Sequence, residues 1–121
     1  MVQTRHVLLV EDHEDTREAM RCLLEVQGHR VDAVGQGGQA VSTALTSHPD
    51  VVLIDIGLPD LDGYEVARQL RAAPEGKKMR LVALTGYDQP RDRERALDAG
   101  FDAHLVKPVD PDALSRLLEA G

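Results

Sequence analysis

Tryptophan is absent from the 121 residues, and the aromatic side chains come to one Phe and two Tyr. A chain so poor in rings offers no platform on which nucleic-acid bases could stack. Basic charge is scarce as well: Lys and Arg total 14 against 21 Asp and Glu, a formal net charge of −7. Binding to phosphate backbones or to anionic membranes draws on clustered cations, so the balance argues against both partners. An acidic domain of this kind more naturally meets a protein or a cation. Cysteine is nearly missing. Cys22 stands alone, which excludes an internal disulfide and fits a reducing compartment. Placed beside Leu23 in a helical pattern, it reads as a packed thiol. Long apolar runs are missing too, and the opening MVQTRHVLLVEDHED is too short in its apolar part for a signal peptide or membrane span. The chain therefore reads as cytoplasmic.

What is present is a globular composition, with 42% hydrophobic residues in a length suited to one domain spanning residues 1–121. A chain of this size can bury roughly two thirds of its unfolded surface, enough for a core without staples. Short apolar runs alternate with amphipathic stretches from end to end. Strands are expected at His6–Val10, Arg30–Val34, Val51–Asp55, Arg80–Leu84 and Ala103–Val106, the second alternating like a less buried strand. Helices are expected at Glu14–Gln27, Gly37–Ser47, Gly63–Ala73 and Pro90–Ala99, with Gly28 and Gly100 as stops. Pro74 to Lys78 reads as a polar loop. A last helix has Asp110 as N-cap, Pro111 in its first turn and Leu114, Leu117 and Leu118 inside. Strict alternation of continuous apolar strands with helices implies an α/β fold: a five-stranded parallel sheet with five helices covering both faces.

One stretch resists that simple reading. In DVVLIDIGLPDLDG, Asp50 to Gly63, a carboxylate at Asp55 interrupts a strand meant to be buried on both faces, where an unpaired ionised group is costly. The other strand ends explain it. The first strand ends in Glu11 and Asp12, the fourth in Thr85 and the fifth in Lys107, and open α/β sheets bind ligands beyond the carboxyl ends of their strands. Carboxylates gathered there repel one another by about 4 kcal/mol per pair at ~4 Å and an effective dielectric of about 20. Lys107 alone cannot balance three of them. A hard divalent cation can, and Mg2+ keeps open positions that phosphoryl oxygens can fill. Asp55, with Thr85 and Lys107 converging on it, is then placed to attack phosphorus.

The motifs LLVEDHED, VVLIDIGLPDLDGYEV, LVALTGY and AHLVKPV together resemble those of the receiver domains of two-component signalling, from about His6 to the final helix. The resemblance implies a single flavodoxin-like (βα)5 receiver domain, of the kind found in chemotaxis regulators, with strand order 2-1-3-4-5. It implies that Asp55 takes a phosphoryl group from a phosphohistidine of a histidine kinase or phosphotransfer protein. Mg2+, or Mn2+, would be held by Glu11, Asp12, Asp55 and the backbone carbonyl of Gly57. Thr85 would move to meet the phosphoryl group, Lys107 would pair with it, and the Lys107–Pro108 peptide would be cis. Gly57 and Tyr87 flank the site at positions that influence phosphoryl lifetime. Where the family usually carries Tyr or Phe, three positions before the lysine, stands His104. Its ring either swings as a switch with a pH-dependent bias or is a part-exposed histidine on an edge strand without that role. Such a domain is a regulatory switch and no metabolic enzyme, catalysing only its own phosphorylation and dephosphorylation. A kinase would dock near His13–Met20 and the Lys107–Asp110 loop. The readout face would include the fourth helix around Arg91–Arg95, the fifth strand with His104 and the fifth helix. With no effector expected after the last helix, output would pass by contact to a downstream protein, unless the chain is a receiver excised from a hybrid kinase or larger regulator with an attached effector.

Rivals have specific weaknesses. GQGGQA, Gly35 to Ala40, satisfies G-x-G-x-x-G/A between a strand and a helix, with Asp55 at the ~20-residue distance of a ribose-binding acid. As a dinucleotide module, however, the chain would leave Glu11, Asp12, Thr85 and Lys107 without roles. A calcium loop around Asp60 and Asp62 fails because Leu58 and Gln69 would occupy its first and last ligand positions, and those two acids read as turn residues. His6, His13, His29, His48 and His104 lack ligand-like spacing. A degenerate receiver that only binds partners is the remaining alternative, and every chemical position is filled against it.

Overall fold

The three central strands of the sheet read as near-continuous apolar sequence because their two faces feed two separate cores. The computed structural model describes residues 4–86 and 90–119. The strands are β1 (His6–Val10), β2 (Arg30–Val34), β3 (Val51–Asp55), β4 (Arg80–Thr85) and β5 (Ala103–Val106). All neighbours pair in parallel, in the order β2-β1-β3-β4-β5. Between them run α1 (Glu14–Val26), α2 (Gly37–Ser47), α3 (Gly63–Ala72) and α4 (Pro90–Ala99), and α5 (Pro111–Glu119) follows β5.

Side chains alternate across a strand, so odd and even positions part company. Val7, Leu9, Val51, Leu53, Val82 and Leu84 pack with Met20 and Leu24 of α1 and with Leu114 and Leu118 of α5. Leu8, Val10, Val52, Ile54, Leu81 and Ala83 pack with α2, α3 and α4 through such residues as Ala44, Val66, Leu70 and Ala96. Leu8, Leu9, Leu53 and Ile54 are wholly buried, each stabilising the fold by roughly 1.5–3 kcal/mol relative to exposure. The expected α/β architecture and strand order are both present.

Helix ends follow local chemistry. Gly28 and Gly100 take φ of 96° and 108°, the left-handed region in which glycine ends a helix at no steric cost. Asp62 Oδ1 accepts from Glu65 N at 2.9 Å and caps α3, and Asp110 Oδ2 accepts from Ala113 N at 3.2 Å at the start of α5.

Several expectations need correction. Cys22 is exposed, because the buried stripe of α1 passes through Met20 and Leu24 and turns position 22 outward. Pro74–Lys78 is a short 3-10 helix, not an open loop. Arg71 explains its order: Nη1 donates to the carbonyls of Gly76 at 2.9 Å and Met79 at 2.7 Å, while Nη2 reaches Asp102 Oδ2 at 2.6 Å. The strand β2 is the less buried strand expected, but its burial does not alternate: Arg30 is exposed and Val31 to Val34 are all half-buried, as suits an edge strand. β4 runs one residue further than expected, to Thr85, and α1 and α3 each stop one residue sooner.

Candidate functional site

Pleat parity sorts the polar residues at the carboxyl rim. Glu11 continues the odd-numbered series of β1, Asp55 that of β3 and Lys107 that of β5, so all three lie on the sheet face covered by α1 and α5. Thr85 and His104 follow the opposite parity, toward α4. Register aligns them lengthwise: Val10 pairs with Ile54 immediately before Glu11 and Asp55, and Thr85 pairs with Val106 immediately before Lys107. The Lys107 N–H donates to the Thr85 carbonyl at 2.7 Å, which fixes where the lysine leaves the sheet.

The result is a compact charge cluster. Lys107 Nζ lies 2.8 Å from Glu11 Oε1 and 3.2 Å from Asp55 Oδ2. Asp55 Oδ1 accepts from Gly57 N at 3.0 Å, and Glu11 Oε2 accepts from His13 N at 3.2 Å. Glu11, Asp12 and Asp55 each offer an oxygen within 4.8 Å of the others; Glu11 and Asp55 are buried and Asp12 is exposed to solvent. Three carboxylates face one ammonium, so negative formal charge is in excess.

Protonation reflects that crowding. Burial pushes the Glu11 carboxyl above its ordinary value; the bond from Lys107 works against that rise and the neighbouring Asp55 adds to it. Burial also presses Asp55 upward, but hydrogen bonds with Glu11 and Gly57 and the Lys107 charge outweigh it and hold Asp55 below the usual range. Burial opposes the Lys107 charge, yet its bond to Glu11 and the two carboxylates keep its pKa raised. The carboxylate that would act as nucleophile is thus the one kept ionised.

All the donors are hard oxygens, the ligand type Mg2+ prefers. The three carboxylates gather closely enough, within 4.8 Å of one another, to face a single cation. The residues fit the group.

Two further residues shape the rim through contacts that the sequence reading does not assign to them. Arg17 Nη1 donates to the Glu11 carbonyl at 3.0 Å and braces the turn after β1. Asp60 accepts from Gly37 N at 2.9 Å and Gly38 N at 3.2 Å. The N–H groups that a pyrophosphate would need in the GQGGQA stretch are therefore already bound, and Asp60 is more than a turn residue. Its signal in the sequence was the pair of adjacent glycines opening a helix with no capping side chain before them. Tyr87 lies outside the described residues. His104 is half-buried and, with Thr85, Tyr64, Asp92 and Arg93, lines a cleft with only about 10 Å³ of free space. The Lys107–Pro108 peptide is cis.

Residues 7–119 match the family model for the response regulator receiver domain. The chain belongs to that family. Among relatives of this receiver domain, the response regulator MprA of Mycolicibacterium vanbaalenii is 38% identical over 93% of the chain, which spans 46% of MprA. The polar-differentiation response regulator DivK of Brucella ovis is 33% identical, over 88% of the chain and 86% of DivK. Among solved structures, the receiver domain of a sensor histidine kinase from Pseudomonas aeruginosa is 37% identical, with a TM-score of 0.88 over 96% of this chain and 95% of that one. That structure has a magnesium ion coordinated in its active site cleft. The chemotaxis protein CheY4 of Vibrio cholerae superimposes with a TM-score of 0.90 at 26% identity, over 96% and 97% of the two chains. Among the described residues, no helix is long and apolar enough to cross a membrane.

Proposed function

We propose that this receiver domain accepts a phosphoryl group on Asp55 from a phosphohistidine of a histidine kinase or phosphotransfer protein. The observation that carries the reading is the convergence of Glu11, Asp12 and Asp55 oxygens within 4.8 Å, with Lys107 Nζ 3.2 Å from the Asp55 carboxylate. An Asp55 oxygen forms a bond to phosphorus as the phosphorus–nitrogen bond breaks. The imidazole leaves with the bonding pair and picks up a proton. Lys107 exchanges its contact with the carboxylates for one with the incoming phosphoryl oxygens, and the Thr85 hydroxyl approaches from the opposite parity. Mg2+ held by Glu11, Asp12, Asp55 and the Gly57 carbonyl supplies the neutralising charge that phosphoryl transfer requires. Hydrolysis reverses the state when water attacks the same phosphorus: the bond from phosphorus to the Asp55 oxygen breaks, the carboxylate leaves with the bonding pair, and inorganic phosphate departs, its water-derived proton passing to solvent or phosphate.

Docking surfaces follow from the same layout. Beside Lys107, Met20, Leu23, Pro108 and Val109 line a largely apolar groove of roughly 490 Å³, suited to a helix of the phosphodonor protein. On the other side, Leu97 of α4 is 65% exposed and Arg95 lies 4.3 Å over the Tyr64 ring. That face, with β5 and α5, is the readout surface for a downstream protein or an attached effector. The cleft at His104 leaves no room for an inward swing of its ring unless α4 repacks. The exposed free thiol and acidic surface suit the cytoplasm.

The test is direct. Incubation with Mg2+ and a small phosphodonor should add one phosphoryl group by intact mass, and chelation or Asp55→Asn should abolish it with the fold retained. A folded wild-type protein that stays unmodified, or a folded Asp55→Asn protein that is still modified, would overturn the assignment.

A further inference from the structure

The loop between β3 and α3, residues 56–62, carries Gly57 and follows Asp55 directly, so whatever fixes this loop sets the geometry of the site. Its ends are tied locally. Gly57 N donates to Asp55 Oδ1 at 3.0 Å, Gly63 N donates to the Ile56 carbonyl at 3.1 Å, and Asp62 caps α3. Its middle is tied elsewhere, to the first turn of α2. There Asp60 receives both Gly37 N and Gly38 N, at 2.9 and 3.2 Å, in the place of a cap that Gln36 does not provide. The two segments are pressed together: a Cβ on Gly37 would fall 2.6 Å from the Leu61 carbonyl oxygen.

We propose that Asp60 is a positioning residue for the phosphoacceptor site, holding the β3–α3 loop against α2 so that Gly57 stays in register with Asp55. Two N–H donors keep the Asp60 carboxyl below its usual range, so it remains charged as a cap. Its charge is matched to the positive end of α2 and so does not join the acidic rim as a fourth competing carboxylate. The inference rests on the cation-binding reading of Glu11, Asp12 and Asp55.

The test compares Asp60→Ala, Asp60→Asn and Ala44→Gly. The last weakens α2 at a buried position away from the loop. Amide hydrogen exchange at Gly57 is read by NMR in metal-free protein, and Mg2+ affinity by titration of amide shifts, with Asp55→Asn as the control for site occupancy. Asp60→Ala should speed Gly57 exchange and weaken Mg2+ binding about tenfold, the lower end of what lost outer-shell partners cost. Asp60→Asn, which keeps one acceptor oxygen, should recover part of both, and Ala44→Gly should lower Tm with neither effect. If Asp60→Ala changes exchange and affinity no more than Ala44→Gly does, the role is purely structural and the proposal falls. If wild type takes up no Mg2+, the cation reading fails by itself, and the exchange comparison still decides whether Asp60 holds the loop.

Discussion

Lys107 Nζ stands 2.8 Å from Glu11 Oε1, although 96 positions separate the two residues in the chain. The Glu11 side chain is 1% exposed and that of Lys107 30%, so the pair joins a buried carboxylate to a partly hydrated ammonium. Its weight lies in what it prevents, since a buried charge left without a partner costs more than a pair yields. Even so, one ammonium faces three carboxylates, and the site without a cation carries unrelieved repulsion.

Asp55→Asn should therefore stabilise the metal-free protein. Removing one of the converging charges should add about 1 kcal/mol, or roughly 3–6 °C in Tm for a domain of this size. Scanning calorimetry in chelator checks it. Added Mg2+ should then raise the wild-type Tm more than that of the variant. A metal-free variant that melts below wild type would show that the repulsion is not there.

The same cluster gives stability a pH slope of known sign. Glu11 has its folded pKa raised, so the stability it contributes is full below 4.5 and is lost as pH climbs through the folded value. Asp55 has its folded pKa lowered, so its contribution is full above 3.8 and is lost as pH falls through the folded value. Lys107→Ala removes the group that restrains Glu11, so urea midpoints taken stepwise upward from pH 4.5 should decline more steeply in that variant than in wild type. Equal slopes would mean that Lys107 and Glu11 are not coupled in solution.

His29 supplies a second, independent slope. It is 6% exposed, and its Nδ1 accepts from Arg5 N at 3.0 Å, which requires the neutral ring. Burial first, and the Arg5 charge second, lower its pKa from 6.5. Stability from this group is full above 6.5 and is lost as pH falls through the lower folded value. His29→Gln, which keeps an acceptor but cannot titrate, should flatten the decline just below pH 6.5 in chemical-unfolding curves.

The fold was legible because two physical signals repeat without interruption: apolar runs of strand length and helices ended by Gly28 and Gly100. Glu11, Asp55 and Lys107 were legible because each stands at the carboxyl end of such a run, where chain order alone places them on one rim. What escaped were bonds from a side chain to backbone outside its own element, whether 5 positions away or 23. Nothing local marks Arg71 as the residue that orders Pro74–Lys78 through three carbonyls, or Asp60 as the cap of a helix 23 positions earlier. Such bonds depend on where two loops meet, which periodicity does not encode.

Cys22 shows the limit of reading burial from neighbours in sequence. Leu23 beside it is half-buried and Leu24 wholly buried, yet the helix turns the thiol to solvent. A thiol reagent such as DTNB should therefore titrate one thiol in the native protein without denaturant. Reaction that waits for urea would place Cys22 in the core after all.

Two glycines beside the site should answer substitution in opposite ways. A Cβ on Gly63 would fall 2.7 Å from the Asp55 carbonyl oxygen and 2.8 Å from Ile56 Cα, so backbone must move, and the backbone that moves carries Asp55, the proposed phosphoacceptor. Overpacking of this kind costs about 1–3 kcal/mol, and here it should also reduce the yield of phosphorylated protein in the mass assay. A Cβ on Gly57 would meet Asp55 Oδ1 at 3.8 Å, an ordinary contact, and Gly57 has no positive φ to forbid it. Gly57→Ala should stay within about 0.5 kcal/mol of wild type in urea unfolding, as surface substitutions usually do. If Gly63→Ala were the more stable of the two, the close approach of the α3 N-terminus to the Asp55 backbone would be wrong, and with it the account of how the sheet end and the helix start together hold the carboxylate in place.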